Sequence, residues 1–293
     1  MAISNWRFLN SKKTVMKRLF ITAVIVSAFQ FTNAQTLTTP QPSPTQTIKQ
    51  NFGVSSIELS YSRPGIKGRT VFGDLVPYGK VWRTGANQAT TLTFGDDVMI
   101  GGTKVPAGKY GLLTIPDASE WTVIISKQTD VTSPDAYKED QDVVRLKVTP
   151  FPLPMSIETF TMSFDDLKSN SCNVGLMWDR LYLMFPVTTD VDSKVMKQID
   201  NIMNKDNKPY YNAASYYFDN GKDMEQALVW VNKAVEAAPK AQPWVHTLKT
   251  KILAKMGKKT EAIAAAKNAI QIANDTKNPE FAKQNEDILK TLK

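Results

Sequence analysis

A stretch of thirty residues, 61–90, constrains the fold of this chain more than any other feature. Five glycines and two prolines interrupt it: Gly65, Gly68, Gly73, Gly79, Gly85, Pro64 and Pro77. Such residues favour turns over helices and strands. Connections of this length are uncommon in compact domains unless they serve a function or are held in place. We call residues 61–90 the signature loop and expect it to be a structured connection between two strands.

Eight side chains of the signature loop are candidates for ligand binding: Tyr61, Arg63, Lys67, Arg69, Tyr78, Trp82, Arg83 and Asn87. Guanidinium groups offer a rigid fork of donors that matches carboxylate, sulfate or phosphate, and the aromatic rings offer a flat surface for a sugar or a peptide. A structural role is the alternative. In that case Arg83 and Asn87 satisfy loop carbonyl groups, and Trp82 fills the core.

Apolar residues alternate with polar ones across residues 48–190, which predicts strands. Ile57, Leu59 and Tyr61 show the pattern clearly. Further predicted strands cover residues 98–100, 110–115, 121–126, 173–178 and 181–187. Turn-forming residues separate them at short intervals without helical patterns, so we predict an antiparallel β-sandwich of about eight or nine strands.

The period changes to that of a helix in residues 191–293. Asp223 is the expected N-cap of a helix over residues 224–238 that stops at Pro239. Three more helices are predicted over residues 243–256, 260–273 and 279–292, the last with Asn278 before it and Pro279 in its first turn.

Two of these helices carry an internal repeat with an offset of 35 residues, since Ala227 corresponds to Ala262 and Ala234 to Ala269. This spacing is similar to that of a tetratricopeptide pair, in which small residues allow helices to approach closely. We therefore predict a small α-helical tetratricopeptide-like domain that contacts a protein or peptide partner.

The first residues read as a targeting segment. Basic residues precede an apolar run over residues 19–31 and a small-residue cleavage site, which predicts a signal peptide over residues 1–34 that starts at Met1 or at Met16. The run is too short for a helix that spans a bilayer. Residues 35–47, rich in Thr, Pro and Gln, are expected to form a flexible linker. We expect a periplasmic or secreted protein that has no membrane span after cleavage.

Charge argues against nucleic acid as a partner. The formal net charge of +8 falls to +3 without the five cations of the leader, and neither residues 35–190 nor residues 191–293 are basic enough to indicate nucleic acid.

The residue inventory limits the chemistry of the β domain. The chain has one histidine, His246, in the helical part, and one cysteine, Cys172. Catalysis by a Ser-His-Asp triad or a Cys-His pair in the β domain is therefore excluded, as is a metal site built on histidine. We expect His246 between helices and Cys172 in the core. We predict no catalytic residue, metal or cofactor.

Carboxylates leave one enzymatic alternative. Asp96, Asp97, Asp165 and Asp166 lie in predicted turns. Asp179 lies in a Trp-Asp-Arg corner, and Asp74 lies in the signature loop. Two such groups converging in a cleft would suit hydrolysis of a glycoside.

The signature loop contains SRP-x-x-KGR, starting at Ser62, and LVPYG-x-x-WRTGAN-x-AT, starting at Leu75. These motifs resemble those of a family of secreted bacterial proteins of the Bacteroidetes type, the domain of unknown function 2911. The resemblance implies export but names no reaction. We expect an exported, non-enzymatic binding or interaction module, with a small anionic or carbohydrate ligand at the signature loop or a partner at the helices. A hydrolase of envelope polysaccharide is the alternative.

Overall fold

The structure is a computed structural model that describes residues 39–205, 208–237 and 242–292. The predicted signal peptide (1–34), the first part of the predicted linker and Pro239 lie outside these ranges. Within them, no helix combines the length and the apolar character that crossing a membrane requires.

The described residues contain two antiparallel β-sheets followed by six α-helices, so the predicted fold class is confirmed. The strands are β1 (Thr45–Phe52), β2 (Ser55–Ser62), β3 (Thr90–Phe94), β4 (Val98–Ile100), β5 (Thr103–Val105), β6 (Gly108–Ile115), β7 (Trp121–Ser126), β8 (Asp142–Val148), β9 (Phe151–Asp165) and β10 (Ser171–Thr188). One sheet has the order β1-β2-β3-β6-β7-β8 and the other β5-β4-β10-β9.

The sheets enclose one apolar core because alternate side chains of each strand point to the same face. In β2, Ile57 and Leu59 are fully buried and Tyr61 nearly so, as the alternation predicts. From the second sheet, Phe160 of β9 and Trp178 of β10 contribute buried rings to the same core. The aromatic residues gather at the end of the sandwich that the signature loop covers.

The β domain has ten strands against the predicted eight or nine, β5 was not predicted, and two further features differ from the prediction. Residues 173–178 and 181–187 were expected to form separate strands, but both belong to β10, whose register shifts around Asp179. Asp179 has a positive φ of 51°, typical of a local irregularity in a strand. The second difference is β1, which begins at Thr45 within the predicted linker because its backbone pairs with β2 along its whole length.

The helices are α1 (Val191–Met203), α2 (Tyr210–Asp219), α3 (Met224–Ala237), α4 (Pro243–Lys255), α5 (Lys259–Asp275) and α6 (Pro279–Thr291). The last four lie within two residues of the predicted bounds wherever those are described. Asp223 caps α3 as predicted, since its Oδ1 accepts hydrogen bonds from the backbone N–H groups of Glu225 at 2.9 Å and Gln226 at 3.0 Å. Asn278 precedes α6, but its side chain donates to Thr276 instead of capping the helix.

The alanines of the internal repeat all lie in the helical core: Ala227, Ala234, Ala262 and Ala269 are buried. Successive helices from α2 to α6 contact one another, which agrees with stacked helical pairs. Assignment to tetratricopeptide repeats stays a prediction.

The helical part begins directly at the sandwich. Thr189 follows β10 and donates from its hydroxyl to the carbonyl oxygen of Asp97 at 2.9 Å. Lys194 of α1 forms an ion pair with Asp96 in the turn between β3 and β4. The turn aspartates therefore attach the first helix to the sandwich.

Candidate functional site

The signature loop runs from the end of β2 to the start of β3 and is fixed to both sheets. Gly65 forms an isolated bridge with Thr159 of β9, and Trp82 forms one with Thr114 of β6. The Trp82 bridge consists of two backbone hydrogen bonds, of 2.7 and 3.0 Å. These backbone bridges hold the loop against both sheets at one end of the sandwich.

Trp82 is part of the aromatic core. Its ring stacks on Trp178, with centroids 5.9 Å apart, and meets Trp121 and Phe160 edge to face. Its indole N–H donates to the carbonyl oxygen of Gly85 at 3.0 Å. The ring faces are occupied by the core, so Trp82 offers little stacking surface to a sugar.

Tyr61 is also a core residue, with 2 % of its surface exposed. Its hydroxyl donates to Gln46 at 2.8 Å and accepts a hydrogen bond from the backbone N–H of Met162 at 3.0 Å. The side chain joins β1, β2 and β9 and is not accessible to a ligand.

Two arginines of the signature loop are used within the protein. Arg63 donates from Nε to the carbonyl oxygen of Phe160 at 3.2 Å and from a terminal nitrogen to Thr161 at 2.9 Å. Arg69 donates to the carbonyl oxygens of Ile66 and Gly65. Each guanidinium therefore binds a different part of the backbone, and the two form no common anion site.

Lys67 and Asn87 occupy strained turn positions, with φ values of 51° and 56°. The backbone N–H of Lys67 donates to the carboxylate of Glu158 at 3.0 Å. The side-chain amide of Asn87 donates at 3.0 Å to the carbonyl oxygen of Ser43, which lies before β1 and outside the signature loop.

Arg83 is placed differently, because its side chain lines a cavity of about 200 Å³. Its Nη1 donates to the carbonyl oxygen of Thr132 at 2.6 Å, whereas its Nε is buried without a partner among the described residues. Lys80, from the same loop, lines the cavity as well. We call this space the Arg83 cavity.

The walls of the Arg83 cavity are apolar apart from these cations and the segment 132–134. Leu75, Val76 and Val81 of the signature loop form one side, and Thr132, Ser133 and Pro134 form the other. Tyr78 is 45 % exposed and packs near Gly73, and it is not among the lining residues. Of the eight candidate residues, only Trp82 and Arg83 line this cavity.

The segment 132–134 is the part of the cavity that the sequence did not reveal. It follows β7 and lies about fifty residues after Arg83 in the sequence. Folding of the chain brings the two together, and Arg83 then donates to Thr132. Its Ser133-Pro134 pair is typical of a turn and by itself indicates no binding role.

The charged side chains that line the Arg83 cavity are both positive. Its lining contains two cations and no carboxylate. Neither cation forms an ion pair with any residue that the structure describes. Unpaired cations beside apolar walls favour an anion with an apolar part.

The carboxylates considered for hydrolysis have partners elsewhere. Asp97 pairs with Lys104 at 2.9 Å, and that hydrogen bond is the main cause of the lowered pKa of Asp97. Asp165 accepts hydrogen bonds from Ser163 and Tyr182. Burial, followed by the contact with Asp165, raises the pKa of Tyr182 to about 12.

The remaining two are engaged in the same way. Asp166 accepts a hydrogen bond from Asn173 at 2.8 Å, and Asp179 accepts one from Ser156 at 2.7 Å. Turn and sheet contacts account for these groups.

Cys172 is buried, with 2 % of its surface exposed, as the sequence predicts. Burial raises the pKa of its thiol to about 11, and Asp165 adds to the effect. The thiol is therefore neutral near pH 7 and lacks the thiolate that nucleophilic chemistry requires.

Comparison with known proteins finds a match to one sequence family. No curated protein and no solved structure significantly matches the chain. Residues 43–187, from just before β1 to the end of β10, match a sequence family described as "Protein of unknown function (DUF2911)". The family model covers the β-sandwich and thereby supports the resemblance carried by the signature loop.

Proposed function

We propose that this chain is an exported binding protein whose β-sandwich holds a small anion in the Arg83 cavity. The observation that carries the proposal is the pair of unpaired cations, Lys80 and Arg83, in a cavity without a lining carboxylate. A cation beside an apolar wall binds carboxylate, sulfate or phosphate more strongly than it would in open water, because the local dielectric constant is lower.

The size of the cavity restricts the ligand. A volume of about 200 Å³ is below the range of roughly 300–1,000 Å³ that is usual for drug-sized ligands. The ligand is therefore a small acid, or the acidic end of a larger molecule such as an acidic sugar. Leu75 and Val81 would contact its apolar part, while Lys80 and Arg83 would bind the anionic group.

Calorimetric titration of the full chain with sulfate, phosphate, succinate and glucuronate tests the proposal. We expect at least one of these anions to bind, and Lys80→Met to weaken that binding about tenfold, since a charged hydrogen bond contributes about 1.5–3 kcal/mol. Lys109→Met is the matched control, because Lys109 is exposed on β6 and does not line the cavity. The proposal fails if none of the anions binds, or if the two variants bind equally well.

The other predicted activities gain no comparable support. No carboxylate lines the Arg83 cavity, so no described group favours a polysaccharide hydrolase there. The protein or peptide partner of the helices stays a prediction.

We also propose that the protein is exported. Mass spectrometry of the protein from its natural source tests this, and we expect the mature chain to begin at Gln35.

A further inference from the structure

A second cavity, of about 260 Å³, lies among helices α3, α4 and α5. Two helix faces form most of it. His246, Lys249 and Leu253 are spaced along one face of α4, and Glu261, Ala265 and Asn268 along one face of α5. Residues three, four and seven positions apart lie on the same side of a helix, so both stripes face the same space.

His246 is the unusual residue in this cavity. Its side chain is 8 % exposed, yet the imidazole has no hydrogen-bond partner among the described residues; only its backbone carbonyl oxygen accepts one, from Thr250 at 3.2 Å. Its ring nitrogens are not among the fully buried side-chain atoms that lack a partner, so they keep some contact with solvent. His246 lines the cavity, and its imidazole is not used in any hydrogen bond within the described ranges.

The imidazole is neutral under ordinary conditions. Burial, together with the positive charge of Lys249, lowers the pKa of His246 below its usual value. A neutral imidazole has one N–H donor and one nitrogen acceptor. The ring can therefore form hydrogen bonds without adding charge to the site.

Opposite charges lie in the same cavity without neutralising each other. Lys249 and Glu261 both line it, but neither forms an ion pair with the other or with any further residue in the described ranges. Leu253, Ala264 and Ala265 add small apolar surfaces. An ammonium group, a carboxylate group and an apolar wall in one small space are complementary to a molecule that carries both charges and a short apolar side chain.

We propose that the α3–α5 cavity binds a small zwitterion, either a free amino acid or a dipeptide with a short side chain. Lys249 binds its carboxylate, Glu261 binds its ammonium group, and His246 forms a hydrogen bond with a polar atom between them. The cavity volume admits either source. The inference is separate from the anion site of the sandwich, and its failure would leave that proposal unaffected.

The single histidine makes the test direct, because the only imidazole signals in an NMR spectrum of the full chain belong to His246. Titration uses L-alanine and L-alanyl-L-alanine as the two zwitterions. N-acetyl-L-alanine lacks the ammonium group, and L-alaninamide lacks the carboxylate. We expect at least one zwitterion to shift the His246 signals saturably and both half-ligands to bind at least tenfold more weakly.

The ligand that shifts the signals identifies the source, since L-alanine represents a free amino acid and L-alanyl-L-alanine a peptide. Glu261→Gln and Lys249→Met should each weaken the stronger ligand about tenfold, the effect of losing one charged hydrogen bond. Lys267→Met, which alters an α5 lysine outside this cavity, should bind like the unchanged chain. The inference is overturned if neither zwitterion gives a saturable shift, if the half-ligands bind equally well, or if the Glu261 and Lys249 variants match the control.

Discussion

Trp82 and Trp178 stack almost in parallel, with ring centroids 5.9 Å apart and an angle of 17° between the rings. The first belongs to the signature loop and the second to β10, so the contact joins the loop to the second sheet. Phe72, also in the loop, meets the rings of both tryptophans edge to face. The signature loop therefore contributes part of the hydrophobic core in addition to covering it.

Replacing Trp82 by alanine should destabilise the β-sandwich by about 3 kcal/mol, because the substitution leaves a cavity among the remaining aromatic rings. Urea unfolding followed by circular dichroism measures the change. Tyr78→Ala is the control from the same loop. Tyr78 is 45 % exposed, so its removal should cost less than about 1 kcal/mol. Equal losses in the two variants would contradict the core role of Trp82.

Arg83 connects the signature loop to the segment after β7 while it lines the proposed anion site. Arg83→Ala removes the 2.6 Å hydrogen bond to Thr132 and leaves that carbonyl oxygen without its partner. We expect a loss of about 1–2 kcal/mol, which corresponds to a decrease of roughly 3–6 °C in melting temperature. Differential scanning calorimetry without added anion measures it.

Lys80→Met separates anion binding from the stabilising link between the signature loop and segment 132–134. Lys80 lines the cavity but makes no hydrogen bond to that segment. This variant should keep the melting temperature of the unchanged chain. A variant Arg83→Ala with an unaltered melting temperature and unaltered anion binding would remove both roles from Arg83.

Gly85 is the glycine of the signature loop whose replacement the structure restricts most clearly. Its φ is 152°, and an added Cβ would lie 3.0 Å from the carbonyl oxygen of Ser62, a backbone atom. Gly85→Ala should therefore cost about 2–4 kcal/mol, from the unfavourable dihedral angle and from the contact. Equilibrium unfolding in urea gives the value.

Gly68→Ala is the matched control, since Gly68 also has a positive φ, of 71°, but an added Cβ would meet no atom within 4 Å. The dihedral angle alone should cost about 1 kcal/mol there. A loss for Gly68→Ala as large as that for Gly85→Ala would show that the contact with Ser62 has no effect.

Regular elements of this fold could be predicted because their patterns are local. The alternation in β2 and the Asp223 cap of α3 depend on residues a few positions apart, and both agree with the structure. β1 was missed because its sequence, TQTIKQNF, is mostly polar, and its pairing with β2 makes it a strand. The break within β10 was predicted as a turn because Asp179 resembles a turn residue when its partners in β9 are unknown.

The candidate site was harder to predict from the sequence than the strands and helices were. Arginine and aromatic residues in a glycine-rich loop indicate interactions, but their partners are carbonyl oxygens and rings distant in the chain, such as Phe160 for Arg63. The same residue types would mark a ligand site or a buried network. Only the structure shows that Arg83 lines a cavity, whereas Arg63 and Arg69 form hydrogen bonds within the protein.

Cys172 gives a prediction with a pH dependence. The raised pKa of its thiol, about 11 in the folded chain against an ordinary value of 9.0, means that the folded state holds this proton more tightly than the unfolded state. The resulting stability is fully present below pH 9 and is lost as pH rises through 11. Cys172→Ala has no such proton, so the unfolding free energy of the unchanged chain should fall relative to that of the variant, by about 3 kcal/mol, over that interval.

Urea unfolding of both chains at several pH values measures this difference, and ionisation of the tyrosines cancels because both chains contain them. Thiol labelling provides a second measurement. A disulfide reagent at pH 8 should leave folded Cys172 unmodified and react once urea unfolds the chain, because burial restricts access and suppresses the thiolate. Equal labelling rates in the folded and unfolded chain would place the thiol at the surface and contradict the buried position next to Asp165.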